Sequence, residues 1–65
     1  MNLTVNGEEK AVSAATLADL LPELEFEGDW LATAVNSELI AADEREAFQL
    51  SEGDKVEILA PMQGG

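Results

Sequence analysis

Leu17, Leu20, Leu21 and Leu24 form the single helical apolar stripe in this chain, at i, i+3, i+4 and i+7. To either side, apolar residues recur at every second position instead, the period of half-buried strands. One amphipathic helix among short strands has few ways to bury its stripe. It must lie across one face of a sheet, an α+β arrangement. Thr16 is placed to N-cap this helix, with Asp19 three residues on where a capping-box acid sits. Pro22 removes a backbone donor and disfavours α geometry at Leu21, so the helix is expected to end early or kink there.

The strands read as follows. Leu3 and Val5 alternate with Asn2, Thr4 and Asn6, and Asn6-Gly7 is a favoured hairpin turn because both residues tolerate positive φ. A second short strand is expected around Lys10 to Ser13, anchored by Val12. Glu25 to Asp29 reads as a loop bending at Gly28. Leu31, Thr33 and Val35 then alternate with Ala32, Ala34 and Asn36, giving a third strand. A turn at Asn36-Ser37-Glu38 leads to a short fourth strand at Leu39-Ile40. Asp43 is placed to cap one turn through Glu44, Arg45 and Glu46, bringing Phe48 down as a core plug. Ser51-Glu52-Gly53-Asp54 is a turn cluster feeding a last strand, Lys55 to Ala60. The first and last strands are well patterned and should pair in the sheet centre. The expected core is Leu3, Val5, Val12, Leu17, Leu20, Leu21, Val35, Leu50, Val56 and Ile58.

Composition narrows the chemistry. Sixty-five residues make one domain at most, and the 46% hydrophobic content argues against disorder. Fourteen acidic residues face only Lys10, Arg45 and Lys55, for a net charge of −11. Nucleic acid would be repelled, since binding it requires Lys and Arg on the phosphates. The acidic surface keeps the chain soluble and also steers it toward basic partners. No signal peptide or membrane-length apolar run is read, so a cytoplasmic monomer is the expectation. Without Cys or His there is no thiol nucleophile, no metal site of the usual ligands and no acid–base group poised near neutral pH. Carboxylate pairs such as Glu8-Glu9 and Asp43-Glu44 need no catalytic explanation in so acidic a chain. The chain lacks the usual equipment of an enzyme.

What remains is the end of the chain. Residues 1–60 read as the domain, and 61–65, Pro61-Met62-Gln63-Gly64-Gly65, as a flexible tail beyond the last strand. At about 3.4 Å per residue this tail can reach about 17 Å. Two glycines let backbone enter a channel too narrow for side chains and leave the α-carboxylate of Gly65 unhindered. That carboxylate is ionised at neutral pH. A terminal Gly-Gly can also be an accident of a frayed end, and its weight comes from the fold that carries it. Leu59 and Ala34 lie on the opposite register from the core residues of their strands and are candidates for a docking patch beside the tail. Met62 would accompany them.

Together these residues carry a resemblance. Leu3-Thr4-Val5-Asn6-Gly7, Thr16-Leu17-Ala18-Asp19-Leu20-Leu21, Ala34-Val35-Asn36, Phe48, Leu50 to Ile58 and terminal Gly64-Gly65 resemble the ubiquitin-like β-grasp family. Within it, the details are most similar to the ThiS-type sulfur carriers of thiamin biosynthesis. Pro22 departs from the usual uninterrupted helix. The resemblance implies a mixed sheet of four to five strands with one main helix across one face. It also implies a carrier that is itself no enzyme and binds no cofactor. An adenylating enzyme of the ubiquitin-activating type would use ATP and magnesium to convert the Gly65 carboxylate to an acyl-adenylate. Sulfur from a cysteine persulfide donor would replace AMP, leaving a thiocarboxylate that thiazole synthase consumes. Gly64, Gln63 and Met62 would thread the partner's channel. Two related functions share this ending: the small subunit of molybdopterin synthase, and a ubiquitin-like protein modifier.

Overall fold

Two tight turns organise the sheet. In the computed structural model, which describes residues 1–26 and 30–60, Asn6 and Gly7 take φ 50° and 83°, and Asn36 and Ser37 take 52° and 72°. Paired positive φ values give a turn whose twist matches the strands it joins, so each pair closes a two-residue hairpin. The first joins β1 (Asn2–Val5) to β2 (Glu8–Ala11), with Val5 opposite Glu8. The second joins β3 (Ala32–Val35) to β4 (Glu38–Ile40), with Val35 opposite Glu38.

β5 (Lys55–Leu59) lies between the hairpins, parallel to β1 and antiparallel to β3. The order β2-β1-β5-β3-β4 is a five-stranded mixed sheet with the first and last strands central, as expected. Val56 and Ile58 of β5 point into the core, while Lys55, Glu57 and Leu59 are exposed.

The helix α1 spans Leu17–Glu23, seven residues. Thr16 caps it as expected, its Oγ1 accepting from the Asp19 N–H at 3.2 Å. Pro22 stands one residue before the end, and Glu25 at φ 67° turns the chain away. The early end has a second restraint at Glu23. Its carboxylate accepts the N–H groups of Ser13 and Ala14, each at 2.8 Å, and so ties the helix end to the link after β2. Leu17, Leu20 and Leu21 join the strand residues in one core, with Leu24, Phe26 and Phe48 half-buried against it. Every residue expected in the core is buried.

Three details differ from the sequence reading. The second strand lies at Glu8–Ala11 rather than Lys10 to Ser13, because a two-residue turn begins pairing at once. Val12 is buried just beyond it, exchanging backbone hydrogen bonds with Met1. The single turn forms at Ala42–Glu44 as a 3₁₀ helix, with Ala41 and not Asp43 at its N-cap position. There Glu44 reaches back to accept from the Ala41 N–H at 3.2 Å, so a carboxylate within the turn replaces a capping side chain. Phe48 is half-buried, a lid on the core more than a plug.

Arg45, to which the sequence assigned no environment, is only 7% exposed. Its Nε donates to Thr33 Oγ1 at 3.1 Å and its Nη2 to the Leu31 carbonyl. Thr33 Oγ1 in turn donates to the Ile40 carbonyl at 2.9 Å. These bonds fasten the segment after β4 to β3. Among the described residues, no helix is long and apolar enough to cross a membrane.

Candidate functional site

β5 is the last described element before the C-terminal residues, so the anchoring of its end matters more than its own side chains. β1 stops pairing with β5 at Val5–Val56. Asn6 continues the ladder with its side-chain amide. Its Oδ1 accepts from the Ile58 N–H at 2.8 Å, and its Nδ2 donates to the Ile58 carbonyl at 3.1 Å. On the other side β3 pairs to the last strand residue, Ala32 opposite Leu59. The strand is therefore held on both sides almost to Ala60. Gly65, Gly64, Gln63 and Met62, with Pro61, lie outside the described residues.

The start of β5 is fixed with similar care. Asn36 Oδ1 accepts the Lys55 N–H and its Nδ2 donates to Asp54, both at 3.0 Å. Asp54 also receives the Ser51 N–H at 2.8 Å, closing the turn in which Gly53 takes φ 86°. Both asparagines thus serve twice, as left-handed turn residues and as side-chain partners of β5. The sequence signals only the first of these roles.

The two docking candidates fall on the sheet face away from the core. Leu59 is 66% exposed, whereas Ala34 is half-buried because its short side chain lies between Leu39 and Glu57 in neighbouring strands. They line a shallow groove of about 50 Å³ with Ala32, Leu39 and Glu57. Leu39, at 75% exposure, was not assigned to this patch from sequence. Its face follows from the two-residue turn, which sets Ala34 opposite Leu39. A larger hollow, about 390 Å³, lies elsewhere, between Glu38, Ile40, Asp43, Glu44, Ala47 and Phe48. It is open to solvent and shares no lining residue with the groove at Leu59.

Charge on this surface is one-sided. Arg45 is buried, and Lys10 lies 3.6 Å from Glu8 in an exposed ion pair. Such a pair contributes little to stability. A surface so depleted of free cations suits a partner rimmed with Lys and Arg.

What the described residues offer is a last strand held firmly to its end at Leu59, beside a shallow apolar groove. The sequence model of the ThiS family matches residues 3–65, through to the last glycine. A sulfur carrier protein ThiS of Thermus thermophilus is 36% identical over 61 residues, or 94% of this chain and 95% of its own. The thiamine biosynthesis protein ThiS of Geobacter metallireducens is similar in both its crystal and its solution structure. Each is 33% identical over 100% of this chain, with TM-scores of 0.82 and 0.84 over 100% and 88% of the respective chains.

Proposed function

The chain belongs to the ThiS family, and from that membership we propose that its C-terminal Gly65 is the atom-bearing site of sulfur transfer in thiamin synthesis. It is a sulfur carrier for thiamin synthesis, a protein on which enzymes act and not itself an enzyme. The observation that carries the proposal is the family match running through residue 65, supported by a last strand that is central in the sheet and anchored on both sides up to Leu59. A carboxylate is a poor electrophile until one of its oxygens becomes a leaving group. The Gly65 carboxylate attacks the α-phosphorus of ATP on an activating enzyme, expelling pyrophosphate and forming an acyl-adenylate. A persulfide sulfur on a donor protein then attacks the acyl carbon and expels AMP. A second thiol cleaves the resulting acyl disulfide, leaving a thiocarboxylate. Thiazole synthase takes the sulfur from that group.

In this scheme ATP and magnesium belong to the partner, and the chain contributes three things. Gly64 and Gly65 supply backbone slim enough for a closed site, with Gln63 and Met62 threading behind them. The outer face with Leu59 and Ala34 holds the partner. Fixed attachment of β5 sets the point from which the tail reaches out, and the partner's channel places the carboxylate, since a misplacement of about 1 Å can cost a factor of about 100. The reaction takes place in the cytoplasm.

The mass of the intact chain isolated from growing cells tests this reading. A species heavier by the difference between sulfur and oxygen, lost on incubation with thiazole synthase, is expected. Finding the chain only in covalent adducts on lysines of other proteins would assign it to the modifiers and overturn the proposal.

A further inference from the structure

Trp30 is the chain's lone tryptophan, and it is 67% exposed. One exposed apolar residue alone is ordinary, and what sets Trp30 apart is its position. Leu31, Thr33 and Val35 are buried while Ala32 is exposed and Ala34 half-buried, so the even positions of this stretch form the outer face. Trp30 stands two residues before Ala32 in that alternation. Ala32 pairs with Leu59, the last residue of β5. Trp30 therefore lies just before β3, at the end of the sheet where β5 finishes, two residues from Ala32, which lines the groove with Ala34, Leu39 and Leu59.

The backbone beside it is also fixed from below. Arg45 donates to the carbonyl of Leu31, the next residue, and to Thr33 two further on. A tryptophan has only two side-chain torsions to fix on binding. Aromatic anchors of this kind are enriched among the residues that dominate interface energies.

We infer that Trp30 is the principal anchor of the docking surface for the protein that takes up the C-terminal tail. That partner presents an apolar pocket for the indole, framed by basic side chains. The inference rests on the sulfur-carrier reading above. Two observations select this occupant. The five residues after Ala60 reach only about 17 Å, so a protein engaging Gly65 comes within that distance of the end of the sheet where Trp30 stands. The net charge of −11, with Glu57 in the groove itself, favours a cationic rim. A second copy of this chain would bring the same negative charge against it.

The test is ATP–pyrophosphate exchange by the adenylating enzyme of the same organism, with the carrier as varied substrate. Trp30→Ala should raise the KM for the carrier about 10- to 30-fold, the range of an interface anchor. It should leave kcat unchanged, because the reacting group is elsewhere. Its melting temperature should stay near that of the unaltered chain. The unaltered chain labelled with 5-fluorotryptophan supplies a readout free of any folding defect, since it carries a single fluorine resonance. That resonance should shift or broaden as the enzyme is added. An unchanged KM, or a fluorine signal unmoved at saturating enzyme, overturns the anchor while leaving the carrier reading intact. Absence of exchange with the unaltered chain removes the carrier reading and this inference together.

Discussion

Truncating Leu20 and Leu39 to alanine makes the same chemical change at opposite extremes of burial. Leu20 is wholly buried between the helix and the sheet, whereas Leu39 is 75% exposed on the outer face. At Leu20 the loss of three carbons removes about 2 kcal/mol of transfer energy, at about 0.8 kcal/mol for each buried methylene-sized group. The cavity left behind adds more, so a total of about 3–5 kcal/mol is expected. A domain of this size has about 3–10 kcal/mol to lose, so Leu20→Ala should sit at or near the edge of folding. Leu39→Ala should change stability by less than about 0.5 kcal/mol. Urea titration followed by far-ultraviolet circular dichroism reads both. With a slope of about 1 kcal/mol per molar urea, Leu20→Ala should lower the midpoint by about 3 M or abolish the transition. A loss below about 1 kcal/mol at Leu20, or above it at Leu39, would mean that the two faces of the sheet are assigned the wrong way round.

Three further outcomes are expected. Gly53→Ala should cost about 1–2 kcal/mol from its φ of 86° alone, since a Cβ there meets nothing within 4 Å; a neutral change on thermal melting would count against strain at that turn. Leu59→Asp should weaken binding to the activating enzyme with little change in melting temperature, and unaltered affinity in a titration would remove the outer face from the docking account. Raising salt from about 0.01 M to 0.15 M shortens the screening length from about 30 Å to 8 Å and should slow association with the activating enzyme, measured by stopped flow. An association rate indifferent to salt would contradict steering by the acidic surface.

The sequence revealed most where one local rule acted alone. Period-2 alternation identified β1, β3 and β5 with their buried residues, and the cap at Thr16 followed from residue type and spacing. Register was harder, because it depends on turn length. Reading Asn36-Ser37-Glu38 as a turn left the face of Leu39 unset, whereas a two-residue turn places it opposite Ala34. The same one-step uncertainty displaced β2 toward Val12. Arg45 was invisible for a different reason. A lone cation among acids reads as surface, and only tertiary packing sets it beside Thr33 and the Leu31 carbonyl. The bonds from Asn6 and Asn36 to β5 span 52 and 19 residues, and no local pattern announces them. Gly65 rests as a site on the chemistry of a terminal Gly-Gly together with a family match that runs through residue 65, and with the rest of the tail it lies outside the described residues.

The account depends above all on the carboxylate of Gly65 being the group that reacts, and loss of that single residue tests it most directly. Removing Gly65 withdraws the carboxylate by about 3.4 Å, further than small adjustments elsewhere can restore when reacting atoms must approach to about 3–3.5 Å. The core ends at Ile58, so stability should be unaffected. ATP–pyrophosphate exchange with the activating enzyme, run on the intact chain and on the chain lacking Gly65, should show turnover with the first and none with the second. Equal exchange by both would mean that Gly65 does not carry the chemistry, and the sulfur-carrier mechanism would fall with it.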